Sequence, residues 1–313
     1  MSLAGRRLTH GPAERSGGHP GDRYGDGVPN LSALTEDWRS TRKKAARRGT
    51  REVQRRAEWL RERCEAVEER RMLAQVRGAH DVCWPPGAEH QPLVTVRIAT
   101  YDRGPVVAER AIASALEQTY PHIEILVVGD HCTPETEAAV RSVDDPRIRF
   151  VNLPTRGVYP DGAAERRKVA GAHPMNAARY LARGQWIAPC DDDDTMTPDH
   201  VEALLARALE GRFEMVFSKA HHEETPGRWR EVGSLPLRKG EISHGTTLYS
   251  SGLRFLRHSS TCWKLPEPSD WNLWKRMEQI GVRIGFLDQV TYTLNLPARE
   301  REQLALRARS DGP

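Results

Sequence analysis

The hydrophobic positions of this chain change their spacing near Gln91. Within a charged stretch from about Ser32 to Arg77, they recur at alternating steps of four and three residues, which predicts a helix with one narrow apolar stripe. Arg71 occupies the next position of the repeat, so the stripe is short for an autonomous coiled coil. Packing of this helix onto a domain is therefore favoured over self-association, although the sequence leaves both open. The stripe consists of Val53, Ala57, Leu60, Cys64 and Val67.

Beyond the linker Pro85-Pro86-Gly87, short aliphatic and β-branched runs alternate with helical spacings. Thr133 and Thr197 are predicted to be N-caps, and Gly184 is predicted to be a C-cap. The alternation predicts an α/β fold with a doubly wound sheet flanked by helices, whose ligands bind beyond the carboxyl ends of the strands. Strands are predicted at residues 93–98, 123–128, 148–153 and 185–189, and helices at 110–118, from Pro134, at 174–183 and from Pro198.

These patterns divide the chain into four regions. Residues 1–30 lack apolar periodicity and are predicted to be a disordered tail. Residues 31–84 are predicted to form a charged α-helical extension. The α/β domain is expected at 91–295, followed by a C-terminal tail at 296–313.

Composition narrows the classes of function. The net charge is only +4 over 313 residues, and the basic N-terminal stretch lacks the interleaved aromatics of single-strand binders, so no nucleic-acid partner is expected. The five cysteines form no CxxC pair, which argues against a zinc site or a disulfide framework. The sequence shows no apolar leader and no membrane-spanning run, which predicts a cytoplasmic protein without a transmembrane segment.

Four consecutive aspartates, Asp191 to Asp194, follow the fourth predicted strand. Neighbouring carboxylates repel one another by roughly 1 kcal/mol or more per close pair even near a solvated surface. A divalent cation held by oxygen ligands is the usual compensation, so the run predicts a metal-linked function at this edge of the sheet. The last carboxylate, Asp194, is expected either behind the site or at the N-terminus of the next helix.

Several ordered motifs of this domain resemble the opening of family 2 glycosyltransferases. They are Val94–Arg103, Ala115–Tyr120 and Glu124–Asp130, followed by the aspartate run. The resemblance extends from about Pro92 to about Leu294 and looks closest to the spore-coat polysaccharide branch of the family. It implies a GT-A-type fold with a mixed sheet, and an enzyme that inverts the anomeric centre of the transferred sugar.

The resemblance also implies roles for single residues around a nucleotide-diphospho sugar. Ala99 and Tyr101 would line the nucleobase pocket, and Asp130 would accept a hydrogen bond from the base. Gly129 takes the place of a common first acidic residue. Arg167, or alternatively Lys168, would approach the diphosphate, and the other interpretation of this segment is a solvated basic cluster. Asp191 and Asp192 would face the nucleotide, and Asp193 would bind Mg²⁺ or Mn²⁺.

The catalytic base is implied at Asp270, in a segment that resembles the family's acidic helix start before a tryptophan. By itself this segment is an ordinary helix N-terminus, with Ser269 or Asp270 as its cap. His244 would contact the acceptor or a phosphate, and Trp271 would flank a sugar. In contrast, His221-His222-Glu223-Glu224 is interpreted as a surface turn and not as a metal cluster.

Together these expectations describe a metal-dependent glycosyltransferase that moves a sugar to an acceptor hydroxyl on a saccharide or natural product. Two alternatives remain at this stage. One is a nucleotidyltransferase that forms the nucleotide sugar, although such enzymes usually carry a Gly-rich signature after the first strand. The other is a non-catalytic sugar-nucleotide-binding assembly protein.

Overall fold

The computed structural model describes residues 31–79 and 91–297 together with residues 301 and 304, and it describes side chains from Arg48 onward. The predicted disordered tail, the end of the helical extension and most of the predicted C-terminal tail lie outside these residues. The chain divides into two compact units between Thr50 and Arg51. Helix α1 (Leu31–Ala79) begins in the first unit, and the second unit contains its remainder and the sheet.

Among the described residues, nine strands form one mixed sheet, which confirms the predicted fold class. The strands are β1 (Val94–Thr100), β2 (Ile123–Gly129), β3 (Ile148–Asn152), β4 (Trp186–Asp191), β5 (Thr195–Met196), β6 (Met215–Thr225), β7 (Arg228–Val232), β8 (Thr247–Ser250) and β9 (Ile284–Leu294). Their order is β3-β2-β1-β4-β8-β6-β9-β5, with β7 beside β6. The first four strands are mutually parallel, and β8 joins antiparallel to β4.

Helices cover both faces of the sheet. They are α2 (Gly104–Val107), α3 (Ala113–Leu116), α4 (Pro134–Arg141), α5 (Ala163–Val169), α6 (Ala172–Leu181), α7 (His200–Glu210) and α8 (Ser269–Ile280), with a π-helical turn (Ala108–Ile112) between α2 and α3. Within the part of the chain that the structure describes, no helix is both long and apolar enough to cross a bilayer.

The apolar run in β2 explains why the sheet needs helices on both sides. Successive strand residues point to opposite faces. Accordingly, Ile125 and Val127 enter one hydrophobic core, whereas Leu126 and Val128 enter the other. All four side chains are fully buried. A nearly continuous apolar strand is typical of a parallel sheet that is covered on both faces.

Three predicted caps are wrong. Helix α6 ends at Leu181 with an extended residue after it, and Gly184 donates its N–H to Thr95 Oγ1 at 2.9 Å in place of capping the helix. Helix α7 begins at His200, because Thr195–Met196 is drawn into the sheet as β5 and Asp199 becomes the N-cap in place of Thr197. Pro268, and neither Ser269 nor Asp270, is the N-cap of α8.

The segment His221-His222-Glu223-Glu224 is not a surface turn. It continues β6, which pairs antiparallel with β7 and parallel with β9. Within this segment His221 is exposed, whereas Glu223 is buried and paired with Arg301. Across the described residues, no three His, Cys, Asp or Glu side chains converge as a ready-made metal site.

Helix α1 packs onto the domain, but through a different face from the predicted one. Val53, Leu60 and Val67 are 68%, 57% and 67% exposed. The inward face carries Glu58, Glu62 and Glu69 together with one deeply buried leucine, Leu73. The prediction that the apolar stripe itself covers the domain is therefore wrong, and self-association through this helix stays a prediction.

The inward glutamates are matched by cationic and amide groups of the domain. Glu62 accepts hydrogen bonds from Asn272 at 2.5 Å and Lys275 at 3.2 Å. Glu69 pairs with Arg276, which is 2% exposed. The inward face of α1 is therefore the one whose glutamates find these polar and cationic partners, and not the face of the short aliphatic stripe.

Candidate active site

The carboxyl ends of three parallel strands meet at one cavity of about 280 Å³. Strand pairing places Thr100 level with Gly129, and Ala99 level with Asp191. Residues predicted from widely separated segments are thereby brought together. The lining includes Ala99, Thr100, Tyr101, Arg103, Asp130, Gly171, Met175, Asp191, Asp192 and Asp193. We refer to this space as the strand-end cavity.

Asp191 is held from behind by a buried chain of polar side chains. His244 Nδ1 lies 2.7 Å from Asp191 Oδ1, and His244 Nε2 lies 2.6 Å from Arg97 Nη2. Arg97 is only 1% exposed and also contacts Tyr249 Oη at 3.2 Å. The sequence analysis missed Arg97, although a charged residue inside a short apolar strand is itself a signal of a buried polar contact.

The protonation of His244 follows from its neighbours. A guanidinium can only donate hydrogen bonds, so Nε2 must accept from Arg97. Nδ1 then carries the ring hydrogen and donates a hydrogen bond to the Asp191 carboxylate. Although burial raises it, the pKa of Asp191 is lowered overall by His244 and by the charges of Arg97 and Arg103. Asp191 therefore stays ionised at the edge of the cavity.

Asp192 and Asp193 share one guanidinium. Arg103 pairs with Asp193 and lies 3.6 Å from Asp192, which also accepts a hydrogen bond from Thr100 Oγ1 at 2.8 Å. Burial, together with the charge of Asp193, raises the pKa of Asp192 to about 6 against the opposing effect of Arg103. The repulsion predicted from the sequence is thus only partly offset by the protein.

Asp194 lies behind the cavity and not at a helix start. It is 4% exposed, and its Oδ1 accepts the backbone N–H of Asn295 at 2.8 Å. Burial, reinforced by the charges of Asp191 and Asp193, raises the pKa of Asp194 well above its usual range. Its carboxyl group ties the end of β9 to the segment Asp191–Asp194, which we call the aspartate turn, and it is not available to a ligand in the cavity.

The donor set suits a hard divalent cation. Asp191, Asp192 and Asp193 supply carboxylate oxygens that line one cavity, and Arg103 is the cation that neutralises two of them. Protein ligands alone rarely enclose Mg²⁺, which usually binds one or two carboxylates together with substrate phosphates. An open carboxylate edge with incomplete charge compensation is consistent with that arrangement.

The predicted nucleobase side of the cavity is built by Tyr101 and Asp130. Tyr101 is 39% exposed, and the guanidinium carbon of Arg156 lies 3.7 Å from its ring centroid. Asp130 is buried and accepts hydrogen bonds from Gly157 N at 2.9 Å and from Tyr159 Oη at 2.6 Å. The carboxylate thus fixes the loop after β3, and its predicted contact with a base stays a prediction.

Gly129 has a steric explanation. A Cβ at this position would lie 2.8 Å from Asn152 Oδ1 and 2.9 Å from Cys132 Sγ. Asn152 uses that space to bind both backbone groups of Cys132, at 2.8 and 3.0 Å. An acidic side chain cannot fit at position 129 without displacing this bridge, so Asp130 is the acidic residue at the end of β2.

Asp270 lies in the first turn of α8, half-buried, and accepts the N–H of Trp271 at 2.7 Å. Burial and the charge of Asp191 raise its pKa, while His244 lowers it. The charges of Asp191 and His244 therefore act on the ionisation of Asp270. The side chain of Trp271 packs against the second hydrophobic core, and its predicted sugar contact stays a prediction.

Arg167 is exposed on α5 and does not line the strand-end cavity, so its predicted role at a diphosphate also stays a prediction. The basic residue that does line the cavity is Arg103, which the sequence analysis did not single out. Its position directly after β1, opposite an acidic run that follows β4, was the available signal.

Curated relatives of this chain match only parts of their own length. The chain is 34% identical over 158 residues to the succinoglycan biosynthesis protein ExoO of Rhizobium meliloti, covering 45% of this chain and 42% of that protein. It is 23% identical over 211 residues to the chondroitin synthase of Pasteurella multocida, covering 64% of this chain and 20% of the synthase. Neither name bears on the spore-coat branch, which stays a prediction.

Solved structures share the fold. A crystal structure of residues 1–349 of TarS from S. aureus, in complex with UDP-GlcNAc, aligns with a TM-score of 0.52 and 18% identity, covering 67% of this chain and 60% of that one. This similarity supports the GT-A-type architecture of the mixed sheet. The family model "Glycosyl transferase family 2" matches residues 95–272, which is more than half of the sequence. The chain therefore belongs to glycosyltransferase family 2.

Proposed function

We propose that this chain transfers a sugar from a nucleotide-diphospho sugar to an acceptor hydroxyl, in one metal-assisted displacement that inverts the anomeric centre. The observation that carries this proposal is the strand-end cavity, where Tyr101, Asp130 and Asp191–Asp193 converge from three strand ends. Family membership supports the reaction class, and the UDP-GlcNAc bound by the TarS relative makes that compound a suitable first donor.

We assign different carboxylates of the aspartate turn to different parts of the donor. In the proposed arrangement, Asp191 and Asp192 face the nucleotide, and Asp193 holds Mg²⁺ or Mn²⁺. A bound cation would neutralise the charge that develops on the leaving nucleoside diphosphate. Arg103 then exchanges its carboxylate partners for phosphate oxygens, which a guanidinium also binds in a forked geometry.

Asp270 is the proposed general base. The acceptor O–H proton passes to the Asp270 carboxylate while the acceptor oxygen bonds to the anomeric carbon, and the bond from that carbon to the diphosphate oxygen breaks. A raised pKa suits a base that must take a proton near neutral pH. His244 and Arg97 orient Asp191 and keep its negative charge in place.

The experiment is Asp270→Asn, assayed for transfer from UDP-GlcNAc and other nucleotide sugars in the presence of Mn²⁺. Loss of a general base typically lowers turnover by about 10²- to 10⁴-fold. Donor binding, measured by calorimetry, should change little because the strand-end cavity is intact. The matched control is Asp288→Asn, since Asp288 is 74% exposed on β9 and pairs only with Lys219 among the ion pairs of the described residues.

Unchanged turnover in Asp270→Asn would remove the base assignment. Formation of nucleotide sugar from a sugar phosphate and a nucleoside triphosphate would support the nucleotidyltransferase alternative instead. Tight donor binding by the unaltered protein, with neither transfer nor slow hydrolysis, would support the non-catalytic binding protein.

The cytoplasmic location expected from the sequence also stays a prediction.

A further inference from the structure

A second cavity, of about 290 Å³, lies between α1 and the segment that connects β8 to α8. We call it the helix-side cavity. It is lined by Glu58, Arg61, Asn176, Arg257, His258, Ser259, Ser260, Thr261 and Lys264. All of these side chains are polar or charged, so the cavity is suited to a hydrophilic group and not to a hydrocarbon chain.

The charges around this cavity favour an anion. Arg61, Arg257 and Lys264 contribute three positive charges to the lining, against one negative charge from Glu58. Glu65, just outside the lining, pairs with Arg61 and lies 3.1 Å from Arg257, which still leaves a net positive balance. Arg257 and Lys264 retain side-chain exposures of 57% and 28%, so both can reach a ligand.

The cavity wall is rigidly positioned. The Asn176 side chain donates to His258 O and accepts from His258 N, both at 2.9 Å. The buried Arg179 guanidinium donates to the carbonyl oxygens of the three successive residues before Arg257, at 2.7 to 3.2 Å. Helix α1 closes the other side, because Thr261 donates to Glu58 at 2.6 Å and Arg61 donates to Thr261 at 2.8 Å.

His258 connects this wall to the proposed catalytic residues. Its ring stands edge-on to the ring of His244, with 5.6 Å between centroids. The residue is 2% exposed, and neither ring nitrogen has a hydrogen-bond partner among the described residues. A buried imidazole without partners is costly, and a ligand oxygen at this wall would relieve that cost.

We propose that the helix-side cavity binds an anionic group of the acceptor, a phosphate or a carboxylate, and so positions the acceptor hydroxyl towards Asp270. The role as an acceptor site rests on the proposed transfer reaction, whereas binding of an anion in this cavity can be measured without any turnover. It also gives the inward face of α1 a function, since Glu58 and Arg61 are parts of the cavity.

The test is a calorimetric titration of metal-free protein with inorganic phosphate and, in a separate arm, with glucuronate. The variants are Arg257→Gln, Lys264→Met and the two combined. Arg63→Gln is the control on the same helix, because Arg63 is exposed and does not line this cavity. Arg103→Gln reports any phosphate that binds in the strand-end cavity instead.

Each lost charged hydrogen bond should weaken anion binding by about tenfold, and the double variant should bind at least that much more weakly than either single one. Arg63→Gln should bind as the unaltered protein does, and a loss of binding confined to Arg103→Gln would place the anion in the strand-end cavity and overturn the proposal. Phosphate binding without glucuronate binding would identify a phosphate group on the acceptor, and the reverse result a carboxylate. No saturable binding of either anion, or equal binding by the double variant, would overturn the proposal. Tight donor binding by the unaltered protein with neither transfer nor donor hydrolysis would instead reject the transfer reaction, and this titration would remain interpretable.

Discussion

Two groups of carboxylates in this molecule, one buried and one partly buried, are compensated very differently. On α1, Glu62 and Glu69 are matched by Asn272, Lys275 and Arg276 of the domain. In the aspartate turn, three neighbouring carboxylates line one cavity, and Arg103 is the cation that pairs with two of them. The first group holds an element in place, while the second keeps unbalanced negative charge at a concave surface.

The pKa values express the same difference. Although burial raises it, the pKa of Glu58 lies below its usual range because Arg61 and Thr261 donate hydrogen bonds to it. The pKa of Asp192 is instead raised to about 6 by burial and by Asp193. Compensated carboxylates stabilise the fold, whereas a partly compensated carboxylate with a raised pKa inside a cavity is a candidate for function. This contrast can be tested by neutralising members of each group.

The largest effect on stability is expected at Glu69. Replacing it with Gln leaves the buried Arg276 guanidinium without its carboxylate, and breaking one partner of a buried ion pair typically costs about 3–5 kcal/mol. Chemical denaturation should show this loss in the free energy of unfolding. Glu68→Gln is the matched control, because Glu68 is next to Glu69 on α1 but is exposed. Its replacement should change the free energy of unfolding by less than about 0.5 kcal/mol. Equal stability of the two variants would contradict a structural role for the inward glutamates.

The opposite sign is expected at Asp192. Asp192→Asn removes a carboxylate whose ionisation is disfavoured in the folded protein, and Asn can still accept the hydrogen bond from Thr100. The variant should be more stable by about 1–2 kcal/mol at neutral pH without ligand, while it loses affinity for a nucleotide sugar with Mn²⁺. Asp145→Asn should instead be destabilised slightly, since Arg147 lowers the pKa of that carboxyl. A loss of stability in Asp192→Asn would show that the aspartate turn is already compensated.

The pH dependence of the free energy of unfolding should also distinguish the glutamates of α1 from the aspartate turn, although the expected effect is smaller. Since the folded pKa of Asp192 exceeds its unfolded value, this residue opposes folding increasingly as pH rises from about 4 to 6. The contribution of Glu58 is fully present above its unfolded pKa and is lost as pH falls through its lowered folded pKa. Denaturation measured from acidic to neutral pH should therefore show two regions in which the free energy of unfolding changes with pH. Asp192→Asn should remove the change between about pH 4 and 6, and Glu58→Gln should remove the change at lower pH. The same slopes in both variants as in the unaltered protein would refute these linkages.

The sequence predicted the α/β core because its signals are local. Apolar strands such as β2 are recognisable from a few consecutive residues, and parallel order brings their ends together by topology. Position after a strand was therefore enough to group Tyr101, Asp130 and the aspartates around one cavity. The caps failed where strand pairing overrode local preference, as at Thr197, which follows the short strand β5.

The face of α1 was mispredicted because an apolar repeat carries no information about partners. The stripe through Leu60 satisfies the helical period, but the domain presents Lys275 and Arg276, which are complementary to glutamates. The chain from Arg97 through His244 to Asp191 was also out of reach, because it joins residues from three distant segments. Only the unusual charge within β1 hinted at it.

The central claim, that the aspartate turn binds a metal-linked nucleotide donor, is tested most directly by a thermal-shift measurement. Nucleoside diphosphates would be screened with and without Mn²⁺ against the unaltered protein and Asp193→Asn. A ligand that binds only the folded state raises the melting temperature in proportion to RT ln(1 + [L]/Kd). At least one diphosphate should stabilise the unaltered protein only when Mn²⁺ is present, and Asp193→Asn should abolish this shift. Stabilisation that is independent of Mn²⁺, or an equal shift in Asp193→Asn, would contradict metal-linked donor binding at the aspartate turn.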